Sequence, residues 1–580
     1  MNGFGFLGHD GEWRDSEAGD FDRLLHRWTL AMGGSSALAG CAARLGQGER
    51  HGHTALMLSA SEAAAIRSDR LVGDGAQPSA FVLDADSRFY FWRGHADETA
   101  IGNALAARCA LAATAIDAEL DAAIEALFTA ADADRTEAQR RAVRVALTQR
   151  LLVLTGGPGT GKTTTVLRVL LALMRQAGDT DLTIRLAAPT GKAAQRLQQA
   201  IGRGHVELAA SLDASWQPWL QQLPQADAQT LHRLLEFDPR SGRWRRDAAQ
   251  PLAADVVVVD EASMLDLAQM RALLAALPPQ ARLILVGDAD QLASVAAGAV
   301  LTDIVQALTQ AAAPQLVRLD TVFRATPALS ACNAAIRRGD ADALSAAATA
   351  TTLTTLPVHH GTALRRALQD WGDALGEHLD ALRVRERHDD ARAADTLRGL
   401  QRMQLLCALR ESGFGCVTVN EILQSRLRAR FVWDDRSWFP GRMVMITRND
   451  EAHGLFNGDI GVALANADGV LVVWFEGRGD EPARAFLPAL LPAHEPAFAI
   501  TIHKSQGSEY DHVAVLLTAT PESRILSRQL LYTAASRARQ TLSLWATDAV
   551  VAAALARPVD RSGGLQAKLN RLLSEAGKAS

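Results

Sequence analysis

The stretch Leu151-Leu-Val-Leu-Thr-Gly-Gly-Pro-Gly-Thr-Gly-Lys-Thr-Thr-Thr165 decides the fold. Its apolar start predicts a β-strand that is buried on both faces, as in a parallel sheet. From Gly156 the chain has the G-x-x-x-x-G-K-T spacing of a phosphate-binding loop, and the apolar run 166–174 predicts the helix that follows it. Because this motif requires a strand before the loop and a helix after it, the sequence predicts a protein that binds and hydrolyses a nucleoside triphosphate.

The residues of this loop have expected roles. Glycines let the backbone curl so that its N–H groups point at phosphates. Lys162 is expected to reach the β- and γ-phosphates, and the Thr163 hydroxyl to ligate Mg²⁺. The loop residues expected to contact the nucleotide are Gly156, Gly157, Pro158, Gly159, Thr160, Gly161, Lys162, Thr163 and Thr164.

Polar side chains follow two further buried strands. Four valines precede Asp260 and Glu261, of which Asp260 is placed to hold Mg²⁺ through its water shell and Glu261 to polarise the attacking water. The run 282–288 precedes Gln291, whose amide can bond both a phosphate oxygen and a water, as a γ-phosphate sensor would. Upstream, Gln139 is either a surface residue or the ligand of the adenine edge. Alternating strands and helices predict a doubly wound parallel sheet.

A second unit begins near residue 313 and has a strand that ends at Arg324. From about 425 to 490 short strands and turns predict a small all-β insertion, with Asn457-Gly458 as a hairpin signal. The α/β pattern then returns with a strand and polar turn over 499–507 and a helix from Arg528. The tail 557–580 is expected to be a short basic amphipathic helix or partly disordered.

Residues 1–125 predict a small α+β region with a hairpin that ends in Phe89-Tyr-Phe-Trp92. Alternation along a strand sends Phe89 and Phe91 to one face and Tyr90 and Trp92 to the other. A helix from Ile101 can cover one face. The other face is then either an interaction surface, for which exposed aromatic area is typical, or is covered by a local helix such as 20–32.

Composition limits the class of protein. The 580 residues are too many for one core and predict three or four domains. A hydrophobic share of 48% and a charged share of 22% are those of an ordinary globular chain. The formal charge of −5 does not indicate a nucleic-acid binder, but a basic channel can lie on an acidic body. The five cysteines show no metal spacing, and no signal peptide or membrane span is evident, so a cytoplasmic location is expected.

The motif series as a whole resembles superfamily-one DNA helicases, and within them the RecD family, the alpha subunits of RecBCD (exodeoxyribonuclease V) enzymes. The resemblance is carried by the phosphate loop, Pro189-Thr-Gly-Lys-Ala193, Thr230-Leu-His-Arg-Leu-Leu235, Asp260-Glu-Ala-Ser263, Gly287-Asp-Ala-Asp-Gln291, Thr501-Ile-His-Lys-Ser-Gln-Gly507 and Tyr532-Thr-Ala-Ala-Ser-Arg-Ala-Arg539. The stretches 404–411, 449–461 and 337–340 support the narrower family. Ala325 departs from the pattern, because relatives often carry Gln or an aromatic residue there.

The resemblance implies two RecA-like domains with ATP and Mg²⁺ in the cleft between them, single-stranded DNA across their top, and 5′→3′ movement. It places Gln139 on adenine, and Gln291, Arg324 and Arg537 at the γ-phosphate. The residues that it places along the DNA path are Pro189, Thr190, His232, Thr501, His503 and Lys504. The implied domains are an N-terminal partner-docking domain (1–125), motor domain 1A (126–312), motor domain 2A (313–424 and 491–556), a small SH3-like β insertion 2B (425–490) and a tail (557–580).

The resemblance also implies RecB-like and RecC-like partners in a heterotrimer that repairs double-strand breaks. The nuclease is then expected in a partner chain, because the sequence contains no separate nuclease constellation. Three alternatives stay open: a stand-alone 5′→3′ DNA helicase, a nucleotide-gated interaction subunit with weak catalysis, and an RNA helicase. Fewer than about 140 residues before the adenine glutamine favour the subunit, and an intact Lys162, Asp260, Glu261 and Arg537 favour catalysis.

Overall fold

The computed structural model describes residues 19–111, 115–128, 133–223, 228–323, 326–348, 352–358, 361–411, 413–433, 437–477, 482–559 and 561–579. Within these ranges no helix is both long enough and apolar enough to cross a lipid bilayer. The chain forms an N-terminal domain, two α/β domains with parallel sheets, and an all-β insertion in the second of these.

The N-terminal domain packs helices on both faces of a small sheet. Its elements are α1 (Asp20–Ala31), α2 (Ser36–Arg50), β1 (Ala55–Met57), α3 (Ala60–Ile66), β2 (Val72–Gly73), β3 (Phe81–Leu83), β4 (Arg88–Phe91) and α4 (Trp92–Ala110). The strand order is β1-β4-β3-β2, and the predicted hairpin pairs β3 with β4.

Of the two alternatives for this hairpin, the exposed aromatic face is wrong. Phe89 packs with α1, α2 and α3, and the α1 side chain Trp28 meets Phe81 edge to face at 6.3 Å. Tyr90, on the opposite face, is equally buried, and its ring lies 5.3 Å from that of His95 in α4. The local-helix alternative is therefore confirmed, and Trp92 lies outside the strand, as the first residue of α4.

The first motor domain is built on a six-stranded parallel sheet. Its elements are α5 (Ala118–Ala126), α6 (Ala133–Thr148), β5 (Leu151–Gly156), α7 (Lys162–Ala177), β6 (Ile184–Ala188), α8 (Gly191–Ser211), α9 (Gln217–Gln222), β7 (Gln229–Thr230), α10 (Leu231–Leu234), β8 (Phe237–Asp238), β9 (Arg243–Trp244), β10 (Val256–Val259), α11 (Leu267–Ala276), β11 (Arg282–Gly287), α12 (Val300–Gln310) and β12 (Leu316–Leu319). The strand order is β12-β5-β11-β10-β6-β7, with β8 and β9 in a separate hairpin. Because β12 pairs with β5, this domain extends past the expected boundary at residue 313.

Both faces of this sheet are buried, as the apolar strand sequences predict. Leu151 and Val153 of β5 point to one core, and Leu152 and Leu154 point to another on the opposite face. One face is covered by α6 to α9 and the other by α11, α12 and α4. The helix α4 thus belongs to the layers of the motor domain, and Arg108 in it donates to the Ala281 carbonyl at 2.8 Å.

The second motor domain has a five-stranded parallel sheet. Its elements are α13 (Pro327–Arg338), α14 (Ala341–Ala347), β13 (Leu353–Leu356), α15 (Gly361–Ala381), α16 (Asp390–Leu400), β14 (Met403–Cys407), α17 (Cys416–Arg430), β15 (Met443–Ile446), β16 (Ile460–Ala465), β17 (Leu471–Glu476), β18 (Ala483–Phe486), β19 (His494–Pro496), β20 (Ala499–Thr501), β21 (Tyr510–Leu516), α18 (Arg528–Ala535), β22 (Ala538–Trp545) and α19 (Asp548–Ala556). The strand order is β13-β22-β21-β14-β20.

The insertion in this domain is an antiparallel sheet of order β18-β17-β16-β15-β19. It differs from the expected range 425–490 at both ends, because α17 continues to Arg430 and β19 lies beyond residue 490. The predicted hairpin signal at Asn457-Gly458 falls in a tight turn, where Gly458 has a φ of 96°.

The C-terminal tail folds as α20 (Leu565–Ala579), so the helical alternative for it is confirmed. Leu565 and Leu569 pack into the first motor domain's core beside α4. Lys568 lies 4.6 Å from the Tyr90 ring and 2.9 Å from the Glu98 carboxylate. The tail therefore joins the N-terminal domain to the first motor domain.

Candidate nucleotide cleft and strand groove

The predicted nucleotide residues meet at the carboxyl edge of the first sheet. The phosphate loop follows β5, Asp260 and Glu261 follow β10, and Asp288 and Gln291 follow β11, which lies between these two strands. A cavity of about 920 Å³ opens there between the motor domains and reaches Arg537 of the second domain. Its lining includes Pro158, Gly159, Thr160, Gly161, Lys162, Thr163, Thr164, Asp260, Glu261, Gln291 and Arg537.

The loop needs its glycines for both conformation and space. Gly159 and Gly161 have φ values of 73° and 82°, which side-chain-bearing residues rarely adopt. A Cβ on Gly156 would lie 2.6 Å from the Leu319 carbonyl oxygen. The Lys162 ammonium donates to the carbonyls of Gly156 and Gly157 at 2.7 and 3.0 Å, so its charge is held within the curl of the loop.

The acidic pair combines burial with a strained backbone. Burial, and then the charge of Glu261, raise the pKa of Asp260 to about 6, while Lys162 opposes the rise. Asp260 accepts a hydrogen bond from the Glu261 N–H at 2.9 Å. Glu261 has a φ of 52°, an uncommon conformation that is concentrated at functional sites. A cation at this place would favour the ionised form of Asp260.

Asp288 connects the two motor domains and was not singled out from the sequence. Its carboxylate accepts hydrogen bonds from Gln291 Nε2 and from the Tyr532 hydroxyl of α18, both at 3.0 Å. Burial raises the pKa of Tyr532 well above its usual range, so the hydroxyl stays a donor. Beside it, the Leu292 N–H donates to Thr533 Oγ1 at 2.8 Å. The motif Tyr532-Thr533 was the available signal, but it does not reveal which carboxylate it meets.

Gln291 and Arg537, which were predicted to face the γ-phosphate, both line the cleft. Gln291 Oε1 is buried and has no hydrogen-bond partner in the described part of the chain, although its Nε2 is bonded. Arg537 is buried and donates to the carbonyls of Thr533 and Ser508 and to the Ser536 hydroxyl, each at 3.1 Å. Arg324 lies outside the described residues.

Gln139 is placed against the phosphate loop. It is buried, its Nε2 donates to the Thr160 carbonyl at 3.4 Å, and its Oε1 accepts from Arg168 at 2.9 Å. A Cβ on Gly161 would lie 2.7 Å from the same amide nitrogen. The amide therefore supports the loop, and its contact with adenine stays a prediction.

The residues predicted for the DNA path lie in two places. A groove of about 1220 Å³ runs between the first motor domain and the insertion, and His232 lines it. The His232 ring packs at 5.2 Å from Phe237 and 5.1 Å from Trp244, which belong to the β8–β9 hairpin. Across the groove, Phe456 of the insertion would be 2.8 Å from a Cβ on Gly191, so the insertion sits directly on the turn that carries Pro189 and Thr190.

The remaining path residues belong to the second motor domain. Thr501 ends β20, and a short 3₁₀ turn at His503–Ser505 follows it. Lys504 donates to Glu495 at 2.6 Å, and burial followed by the charge of Arg561 lowers the pKa of His503. His232 therefore lines the groove, and Pro189 and Thr190 directly precede Gly191, which also lines it. Thr501, His503 and Lys504 lie around the carboxyl end of β20.

The residues that line the cleft fit a nucleoside triphosphate and its cation. The loop forms a glycine cradle that a Cβ would fill, Lys162 is ready to exchange loop carbonyls for phosphate oxygens, and Gln291 Oε1 is unpaired. The oxygen donors Thr163 and Asp260 are those that Mg²⁺ prefers. Among the described residues, no group of three or more His, Cys, Asp or Glu side chains could hold a metal ion by itself.

Two family models match the segments that contain the predicted site residues. An AAA domain family model matches residues 139–297, and a UvrD-like helicase C-terminal domain model matches residues 496–545. Together these segments contain all the predicted site residues except Arg324. The RecBCD enzyme subunit RecD of Mycolicibacterium smegmatis is 42% identical over 442 residues, which cover 75% of this chain and 75% of that protein.

Two further likenesses are more distant. The ATP-dependent RecD2 DNA helicase of Deinococcus radiodurans is 33% identical over 67% of this chain and 46% of its own length. A crystal structure of Pif1 helicase from Bacteroides in complex with ADP-AlF3 and ssDNA matches 71% of this chain and 92% of its own, at 19% identity and a TM-score of 0.39. The M. smegmatis likeness thus spans a far larger share of its relative than the D. radiodurans one does.

Proposed function

The chain belongs to the RecD family, and from that premise we propose that it is an ATP-dependent 5′→3′ DNA helicase and translocase acting in a RecBCD helicase–nuclease. The observation that carries the proposal is the cleft, where the phosphate loop and the acidic pair of one motor domain face Arg537 of the other. Residues from both domains around one triphosphate make hydrolysis depend on domain closure, and closure and opening move one domain along a strand.

The chain's residues have separate roles in this proposal. ATP supplies the phosphoryl bond that is cleaved. Thr163 and Asp260 would hold Mg²⁺, which when bound would supply positive charge against the phosphates. Lys162 and the loop N–H groups bind the triphosphate, and Glu261 orients the attacking water. Arg537 stabilises charge that develops in the transition state, and it is available only from the second domain.

The DNA path is proposed to hold the strand without reading its sequence. His232, Phe237 and Trp244 offer aromatic faces on which bases can stack, and the backbone near Thr190 can donate to phosphates. Thr501, His503 and Lys504 contact the DNA strand on the second domain. The direction 5′→3′ and the cytoplasmic location follow the family resemblance.

The decisive experiment combines ATP turnover with unwinding of tailed duplexes. The full chain should hydrolyse ATP faster with single-stranded DNA and should unwind a duplex with a 5′ tail but not one with a 3′ tail. A Lys162→Gln variant is the matched inactive control. Absence of DNA stimulation would refute the helicase, unwinding from the 3′ tail would refute the polarity, and stimulation by RNA alone would favour the RNA helicase.

The partner proposal has its own support and test. Helix α1 leaves Phe21, Leu24 and Trp28 exposed in part, at 47%, 63% and 42%, and their spacing places them along one side of the helix. We therefore propose that α1 contributes to docking of RecB-like and RecC-like chains. Leu24→Glu should reduce co-purification with those chains and leave DNA-stimulated ATP turnover intact. Undiminished assembly would exclude this surface, and absence of co-eluting chains from the native host would favour a stand-alone helicase.

A further inference from the structure

The segment that follows Gln291 is held at two ends by different parts of the molecule. This segment, residues 291–299, is called the sensor loop below. At its start the second motor domain holds Leu292: Thr533 Oγ1 accepts from its N–H at 2.8 Å, and Gln506 Nε2 donates to its carbonyl at 2.9 Å. Any shift between the motor domains is therefore transmitted directly to the start of the sensor loop.

The far end of the sensor loop is held by the two termini of the chain. Arg561 Nη1 donates to the carbonyls of Ala296 and Gly298 at 2.9 and 2.8 Å. The Gly298 N–H donates to the Gly52 carbonyl of the N-terminal domain at 2.9 Å. These contacts connect a loop of the ATP cleft with residues 240 and more positions away in both directions along the chain.

The C-terminal segment and the N-terminal turn are themselves fastened to each other. The Thr54 N–H donates to the Ser562 carbonyl at 2.8 Å, and the Ser562 N–H donates to His53 Nδ1 at 2.8 Å. The Gly564 N–H donates to the Glu98 carboxylate at 3.1 Å, and Lys568 pairs with the same carboxylate. Since these groups are mostly buried, the fastening is rigid and resists screening by salt.

The sensor loop, the N-terminal turn and the C-terminal segment can approach one another closely because each has a glycine where they meet. A Cβ on Gly52, where φ is 87°, would lie 2.9 Å from the Arg561 guanidinium. A Cβ on Gly563 would lie 2.7 Å from Thr54 Oγ1, and Gly298 has a φ of 100°. Three chain segments thus have the one residue type that lets their backbones meet here.

We propose that Arg561 is a positioning residue for DNA-stimulated ATP hydrolysis, because it anchors the far end of the sensor loop. With that end fixed, movement of Leu292 on domain closure must be absorbed between residues 293 and 297. Val295, at 84% exposure, lies in that stretch, and Arg561 is also close enough to His503 of the DNA path to lower its pKa. Because its far end is fixed, the sensor loop changes conformation when the second domain or the DNA strand moves its start, and does not shift as a rigid unit.

The kinetic test of this inference rests on the proposed function, whereas the hydrogen-exchange test does not depend on that function. In the full chain, Arg561→Ala should reduce the stimulation of ATP turnover by single-stranded DNA about tenfold, as expected for losing a charge-assisted pair of hydrogen bonds. Basal turnover and the KM for ATP should stay within about twofold, because the cleft residues are unchanged. Hydrogen exchange at the Gly298 amide should rise with or without DNA.

Matched variants separate positioning from general destabilisation. Arg561→Lys should recover most of the stimulation, because one ammonium can donate to both carbonyls. Arg557→Ala is the control, since Arg557 is exposed in the same segment and donates to Ser523 instead of the sensor loop. Unchanged exchange at Gly298 in Arg561→Ala, or an equal loss of basal and stimulated turnover, would overturn the inference. Lack of DNA stimulation in the unmodified chain would instead refute the proposed function, and the exchange result would still decide the anchor.

Discussion

Replacement of Tyr532 by phenylalanine tests whether hydrolysis depends on closure of the two motor domains. The Tyr532 hydroxyl donates across the cleft to Asp288 at 3.0 Å, and both groups are buried. A buried hydrogen bond to a charged group contributes about 1.5–3 kcal/mol. Asp288 keeps its bond from Gln291, so we expect the lower end, about 1.5 kcal/mol, which lowers the equilibrium constant for cleft closure about tenfold.

Tyr532→Phe should therefore reduce kcat for DNA-stimulated ATP hydrolysis about tenfold. Binding of a nucleotide analogue should change less, because the phosphate loop belongs to the first motor domain alone. Steady-state turnover and fluorescence titration with a labelled ATP analogue measure the two quantities. Tyr510→Phe is the matched control: Tyr510 is also buried in the second domain, but its hydroxyl makes no hydrogen bond to the first. A normal kcat in Tyr532→Phe, or an equal loss in Tyr510→Phe, would refute the reasoning.

Four further outcomes are expected. Lys162→Gln should abolish DNA-stimulated turnover in a folded protein, which ATP turnover and circular dichroism check together. Arg537→Ala should leave nucleotide binding mostly intact and remove hydrolysis and unwinding, by roughly 10³–10⁵-fold in rate; a collapse of binding with normal turnover per bound ATP would exclude the role. His503→Ala should weaken single-strand binding and DNA stimulation but spare basal turnover; equal loss of both would place it in nucleotide chemistry. Burial, and then the charge of Glu98, raise the pKa of Asp303 to about 7, so between about pH 4 and pH 7 the folded chain keeps a proton there that the unfolded chain has released. The free energy of unfolding should therefore fall as pH rises from 4 to 7. Asp303→Asn should raise the melting temperature at pH 8 but not at pH 4.

The sequence predicts which residues meet at the carboxyl edge of the first sheet, because each motif is local. A buried strand, a glycine loop and a helix start specify Lys162 and Thr163 within a short stretch, and a valine strand specifies the place of Asp260. Parallel strands present their carboxyl ends at one edge, so the assembly of these groups follows from fold class alone. The pairing of Asp288 with Tyr532 does not follow, because the two residues lie in different domains and only the domain arrangement brings them together.

Domain boundaries are predicted less well, and the reason is physical. A strand such as Leu316–Leu319 is apolar whichever sheet it joins, and pattern cannot assign it to β5 of the first sheet. The ends of the insertion have the same ambiguity, since an antiparallel strand such as His494–Pro496 is too short to show a period. Motif content therefore locates the chemistry of this chain, and strand pairing decides which domain owns each strand.

The residues that bury the two faces of the aromatic hairpin cannot all be predicted from sequence. Phe89 and Tyr90 alternate as predicted, and a local helix covers the first of them. The cover of Tyr90 includes Lys568, nearly five hundred residues away, whose charge lies over the ring because the Glu98 carboxylate pairs with it. A lone lysine in a polar helix carries no signal of such a contact, since burial of its charge is favourable only beside that carboxylate. The same pairing that hides the aromatic face fixes the tail on which Arg561 lies, so the burial of Tyr90 and the anchoring of the sensor loop have one structural cause.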